Sequence, residues 1–166
     1  MGAIPYKDML IISNLRKNSR ETVTNISKLT KIPVSTIFDR LRLREKDLIK
    51  AYSMFLDYSK LGYSFRTNIM IRVDSGEKKE LRTHLENHFN VNSMFAVGNG
   101  FDFCIEGIFK DRFEMDDFLM DLGGRFNIVR KEHYPILEEI RHEDFLSKPE
   151  DINLVDMRVS KDKILK

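Results

Sequence analysis

Residues 22–46 read TVTNISKLTKIPVSTIFDRLRLREK. Val23, Ile26 and Leu29 recur every third residue and predict a helix over about 24–30, capped by Thr22 or Thr24. Pro33 cannot sit inside a helix and biases Ile32 away from helical geometry, so Lys31-Ile32-Pro33 is a break. A further helix is expected from Ser35, its N-cap, to about Lys46, with Phe38 and Leu41 on the inner face. A short helix, a tight turn and a second, basic helix describe a helix-turn-helix. Upstream, Tyr6 to Lys17 carries Leu10, Ile11, Ile12 and Leu15 and reads as a preceding helix, ended by the turn Asn18-Ser19-Arg20. A three-helix scaffold that makes no DNA contacts is the competing reading of the same fifty residues.

Charge separates this head from the rest. Residues 1–50 hold 11 Lys/Arg and 5 Asp/Glu, while the remainder holds 17 and 21. The head is therefore +6 and the body −4, within a chain whose formal charge is +2. A basic head on an acidic body suggests that the head alone meets a polyanion; surface scatter is the alternative. The charged fraction of 33% and the absence of any apolar run near ~18 residues exclude a membrane-spanning protein. The opening MGAIPYKDML has no basic stretch followed by an apolar core, so a cytoplasmic location is expected. Cys104 is the one cysteine, so an intrachain disulfide is impossible.

Beyond Lys50 a linker or hinge strand runs to Tyr63, with Gly62 marking its end. From there strand and helix signals alternate. Ser64 to Val73 is a strand with Phe65, Thr67, Ile69, Ile71 and Val73 on one face. Lys78 to Phe89 is a helix with Leu81, Leu85 and Phe89 inward. Val91 to Val97 and Phe101 to Phe109 are strands joined by the turn Gly98-Asn99-Gly100. Phe113 to Leu122 is a helix closed by Gly123-Gly124, and Ile128 to Ile140 is a fourth strand. The order βαββαβ is the ferredoxin-like arrangement, an antiparallel sheet with helices on one face and the other face left for a partner, commonly a second copy. The fold class is thus α+β, an N-terminal (winged) helix-turn-helix followed by a ferredoxin-like domain. The expected divisions are a reader at 1–50, a linker at 51–63, a sensing and dimerisation domain at 64–143 and a C-terminal tail at 144–166.

The order and spacing of several segments resemble the leucine-responsive/asparagine (Lrp/AsnC, feast/famine) regulators over residues 5–143. They are Asp8-Met9-Leu10-Ile11-Ile12, Ser19-Arg20, Ile26-Ser27-Lys28-Leu29, Val34 through Arg42, Ile49-Lys50-Ala51-Tyr52, Gly98 through Phe103, and Tyr134-Pro135-Ile136-Leu137-Glu138-Glu139. Four places depart from that pattern. Lys31 stands where the turn usually has glycine. The recognition helix is one residue short around Leu43-Arg44, and the glycine before the wing is missing near Asp47-Leu48. Asn99 replaces a hairpin glycine between Gly98 and Gly100. Pro135 removes a backbone donor from the last strand, which fits an edge or a bulge.

The resemblance implies a DNA-binding transcriptional regulator that pairs with itself as a homodimer, tetramer or octamer. The partner is double-stranded DNA, no cofactor is expected, and a free amino acid is the expected effector class. Ser35, Thr36, Asp39, Arg40 and Arg42 lie in the half of the recognition helix that enters the major groove, where Arg can bind guanine bidentately. Lys28, Lys31, Arg44 and Lys46 suit phosphates. Arg40 has a second reading, since in relatives an arginine here can hold the reader together internally. The implied effector pocket lies between paired dimers and uses the loop Gly98, Asn99, Gly100, Phe101 and Asp102 together with Tyr134 and Ile136. There the glycines would admit a carboxylate to backbone N–H groups, and Asp102 would meet an ammonium group. A hairpin with a structural aspartate and no ligand is the competing reading.

His84 and His88, four apart on one helix, lack a third ligand and read as surface or contact residues rather than a metal site. Cys104 reads as a small packed residue. Two other functions share the architecture: an architectural DNA-binding protein without effector, and a relative of the haem-pathway decarboxylases. Those enzymes surround a tetrapyrrole with His, Tyr and Arg, and the hairpin Phe95 to Gly100 has none of them.

Overall fold

The computed structural model describes residues 4–153 and 155. Its backbone divides into two compact units, residues 4–55 with 141–153, and Leu56–Ile140.

In the first unit, α1 spans Tyr6–Lys17, α2 Val23–Thr30 and α3 Val34–Arg44. Thr22 caps α2, its hydroxyl accepting from the Asn25 N–H at 3.1 Å. Lys31 ends α2 in the left-handed region at φ 59°, a conformation that glycine adopts most readily. Ser35 does not cap α3; Pro33 holds that place with extended ψ, and the helix begins one residue earlier, at Val34. Proline's fixed φ suits the entry to a helix, where no N–H need be supplied. Ile11, Ile26, Ile32 and Ile37 form the core, with Leu15, Val23 and Leu41 packed against it. Each fully buried isoleucine contributes about 2 kcal/mol of transfer free energy. Phe38 and Leu29 do not join them: both lie on the outer surface. The true inner stripe of α3 is Ile37 and Leu41, one residue out of phase with the expected Phe38.

The segment after α3 forms neither a wing nor a hinge strand. No ladder pairs with residues 51–57, and a lone strand leaves its N–H and C=O groups unmet. Residues 141–153 belong to the reader unit rather than forming a separate tail. Arg16 Nε donates to the Phe145 carbonyl at 3.1 Å, and its Nη2 donates to both the Glu143 carbonyl (2.5 Å) and the Glu143 carboxylate (3.0 Å). Phe55 stacks on His142, and Ile152 is buried. The expected tail residues 154 and 156–166 lie outside the described residues.

The second unit opens with a 3-10 turn, Tyr58–Leu61, closed by Gly62 at φ 86°. It then follows β1 (Phe65–Val73), α4 (Lys78–Glu86), β2 (Val91–Ala96), β3 (Phe103–Phe109), α5 (Arg112–Arg125) and β4 (Ile128–Pro135). The sheet order is β2-β3-β1-β4, with every pairing antiparallel. This is the ferredoxin-like arrangement. The alternating face of β1 expected from sequence is the buried one, with Thr67, Ile69, Ile71 and Val73 inside. It packs with Phe103, Ile105 and Phe109 of β3 against Leu81 and Leu85 of α4 and Met115, Phe118, Leu119 and Leu122 of α5.

Four boundaries differ from expectation. α4 stops at Glu86, and Phe89 turns outward, its ring edge-on to Tyr63 at 5.9 Å. β3 starts at Phe103, because Phe101 belongs to the hairpin loop. Gly123-Gly124 does not end α5. Neither glycine takes positive φ, and the helix continues to Arg125, which pairs with Asp121 at 2.9 Å. Pro135 ends β4 on the sheet edge, where a missing N–H costs no ladder bond, so residues 136–140 are not strand.

Candidate DNA-reading helix and effector loop

Helix α3 has two chemically different faces. Inward, Ile37 and Leu41 meet the reader core, and Arg40 and Arg44 extend the same stripe. Both guanidiniums turn to Asp8 on α1: Arg40 Nη1 bonds Asp8 Oδ1, and Arg44 Nε lies 2.9 Å from Asp8 Oδ2. Arg44 also bonds Asp47 at 2.7 Å. Arg40 is thus paired inside the reader unit, and so is Arg44, which was expected on phosphate.

Outward, Ser35, Phe38, Asp39 and Arg42 line the exposed face, with Thr36 half-buried beside them. No side chain caps the α3 N-terminus, so its first N–H groups stay open to an anion such as phosphate. Lys28, Lys31 and Lys46 are exposed around this helix. Lys28, Lys31, Ser35, Asp39, Arg42 and Lys46 are thus each exposed, whereas Arg40 and Arg44 are paired with Asp8.

In the second unit, Asn99 and Gly100 take φ 60° and 91°, and Phe101 N–H reaches back to the Gly98 carbonyl at 3.5 Å. Two successive positive φ values at Asn-Gly are the mark of a type I′ hairpin turn. The asparagine that departs from the family's glycine pattern is thus accommodated. The Asp102 carboxylate is occupied: Val73 N–H donates to it at 3.1 Å and Lys78 Nζ at 2.7 Å. The Lys78 bond, against the opposing effect of burial, holds Asp102 below the usual carboxylate value. An ammonium ligand would have to displace Lys78. Tyr134 bonds Glu132, and Ile136 N–H donates to the Arg66 carbonyl at 2.9 Å. Tyr134 pairs across from Asn68, whereas Arg130 sits four residues nearer the loop, opposite Arg72. At ~3.3 Å per residue that places Tyr134 about 13 Å further along β4 than Arg130. Within one chain, then, Tyr134 and Ile136 do not meet the loop; Arg130 does, its guanidinium 4.7 Å from the Phe101 ring centre.

His84 lies against Phe126, just past the end of α5, and His88 against Phe118 on it. Among the described residues no group of three or more His, Cys, Asp or Glu side chains is arranged to hold an ion. Nor is any helix among them long and apolar enough to cross a membrane.

No protein-family model matches the chain. It is 30% identical to the HTH-type transcriptional regulator FL11 of Pyrococcus horikoshii over 131 residues, 78% of this chain and 86% of the relative. The chain belongs to the Lrp/AsnC family of HTH-type transcriptional regulators. FL11 of Pyrococcus furiosus is 28% identical over 143 residues, 86% of this chain and 94% of that one. Among solved structures, a transcriptional regulator of Neisseria meningitidis in complex with L-Met superposes with a TM-score of 0.78 at 19% identity, covering 84% of this chain and 94% of that one. Escherichia coli AsnC gives 0.75 at 17%, covering 85% and 97%.

Three polar residues with structural partners were not assigned a role from sequence. Asp8 looks like an ordinary acidic residue in a first helical turn, and only the fold shows that it is buried. Arg130 carries no local signal, since its meeting with Phe101 depends on register. Arg66 lies on the open face of the sheet, bonded to Glu106 at 2.6 Å and Glu139 at 2.7 Å, with Tyr58 stacked on it at 5.5 Å. Its position in a strand of alternating polarity was legible, but its partners were not.

Proposed function

We propose that this transcriptional regulator reads double-stranded DNA with the outer face of α3 and pairs through the open face of its sheet. Arg42 and Ser35 face base edges, while Lys28, Lys31, Lys46 and the open α3 N-terminus take phosphates. The observation that carries this reading is the division of α3. Two arginines are consumed by Asp8, while the face carrying Arg42 stays exposed and flanked by lysines. Pairing is supported by the uncovered side of the sheet, where Phe95 is exposed and Met70 and Cys104 are half-buried. A dimer would place two α3 helices on a pseudo-palindromic site.

The proposed effector is a free amino acid taken at the hairpin loop. The structural neighbour in complex with L-Met supports that class. In this chain Gly98, Asn99 and Gly100 expose backbone beside Phe101, and Arg130 is the adjacent cation. Tyr134 and Ile136 would have to come from another copy to line the same pocket.

The test is selection of genomic fragments by the purified full-length protein, with and without pooled amino acids. Enrichment of a shared site, shifted in strength by one of the amino acids, is expected. Recovery of no enriched fragment would sink the DNA reading, and identical recovery under both conditions would sink the effector.

A further inference from the structure

The outer face of α3 is not uniformly polar. Ser35, Phe38, Asp39 and Arg42 follow the i, i+3, i+4, i+7 spacing of one helical face. Ile37, Arg40, Leu41 and Arg44 repeat that spacing on the opposite face, where the core and Asp8 hold them. Phe38 is 59% exposed, although the isoleucine next to it is wholly buried. Adjacent helical residues point about 100° apart, so α3 cannot turn Ile37 and Phe38 squarely to the core together. The ring therefore stands in the middle of the polar set, one turn from both Ser35 and Arg42.

A lone exposed aromatic on a surface needs no explanation in general. This one lies on the element and the face that meet base edges under the reading above, on which the inference rests. The major groove offers a side chain one apolar group, the C5 methyl of thymine, and phenylalanine is among the residues that contact it. We infer that Phe38 is a specificity-determining residue that packs its ring on a thymine methyl in the site. It sets a preference for thymine over any pyrimidine lacking the methyl, while Arg42 supplies the polar readout beside it. A hydrophobic contact of this kind releases no counterions, so it adds selectivity without adding salt dependence.

The test uses the full chain and the duplex it selects from a random library. Each thymine of that duplex is replaced in turn by deoxyuridine, which removes the methyl and keeps the base pair. The wild-type protein is expected to lose about fourfold in affinity at one or two of these positions, the value of one buried methyl group. Phe38→Ala should lose a similar factor on the thymine duplex and nothing further on the uracil duplex. Phe38→Leu, which keeps an apolar tip, should retain part of the thymine preference. The slope of affinity against salt should be the same for all three proteins. Because the ring is exposed, Phe38→Ala should melt with the wild type. If Phe38→Ala binds both duplexes as the wild type does, or if its loss adds in full to that of uracil, the inference is overturned and the reading of α3 survives. A wild-type protein that selects no duplex would overturn both.

Discussion

Arg44 Nε lies 2.9 Å from Asp8 Oδ2, and the Asp8 side chain has no solvent exposure. With Arg40 on the other oxygen, one buried carboxylate ties α1 to two successive turns of α3. Removing one member of a buried ion pair costs about 3–5 kcal/mol, because the partner charge is left uncompensated. Both arginines keep some access to water, so the lower end applies. Asp8→Asn is expected to destabilise the reader unit by about 3 kcal/mol in denaturant unfolding. A variant as stable as wild type would mean that the cluster is not what holds α3 in place.

The same geometry separates arginines that bind DNA from those that hold the reader. Arg42→Gln should leave unfolding unchanged and weaken specific DNA binding by about 1–3 kcal/mol. Arg40→Gln should do the reverse, lowering stability first and affecting DNA only through loss of the folded reader. Anisotropy titrations and thermal melts on the two variants check this. Equal DNA defects in both, with equal stability, would put Arg40 back on the DNA face.

Much of this was legible in the sequence because it rests on periodicity. Thr67, Ile69, Ile71 and Val73 alternate cleanly, and Pro33 marks the turn whatever surrounds it. Phe38 shows where periodicity fails. Ile37 and Phe38 are adjacent apolar residues on a short helix, and a helical pattern alone does not say which one faces inward. The choice is made by α1, whose Asp8 draws Arg40 and Arg44 inward and so fixes the rotation of α3. Gly123-Gly124 shows a second kind of failure. Glycine ends a helix only where the backbone takes positive φ, and here Leu122 and Phe126 pack on the core and keep the helix running. The hairpin turn of the proposed effector loop was legible in Gly98-Asn99-Gly100. That Lys78 occupies Asp102 depends on where α4 begins relative to β3, which no local pattern records.

Lys31 stores strain at the helix-turn-helix turn. Its φ of 59° is a conformation that costs a non-glycine L-residue about 1 kcal/mol or more. Lys31→Gly relieves the strain but loosens the unfolded chain, so a net stabilisation of a few tenths to about 1 kcal/mol is expected. The same variant deletes a cation beside α3. It should therefore bind DNA more weakly while melting higher, with a salt slope reduced by about 0.9. Weaker binding with an unchanged slope would remove Lys31 from the phosphate contacts.

The sheet unit should respond to pH through His88. Its ring lies 4.7 Å from Phe118 and 5.6 Å from His84. Burial first, and then the neighbouring His84, hold its imidazole below the ordinary value of 6.5, with Arg125 adding to this and Asp121 opposing. His84 contributes a buried Nε2 without a hydrogen-bond partner. A base depressed in the folded state takes up its proton more readily when unfolded. The stability linked to it is fully present above the unfolded value and is lost as pH falls from there towards the folded one. Asp102 and Glu106 are depressed carboxylates, so their contributions disappear in a separate, more acidic window. The unfolding free energy of this unit is thus expected to be flat above pH 7 and to fall as pH drops below about 6.5, before any carboxylate titrates. His88→Phe keeps an aromatic ring against Phe118 and has no proton to take up. Denaturant unfolding of that variant between pH 7.5 and 5.5 should lose most of the slope. A slope that persists undiminished would take the effect away from His88.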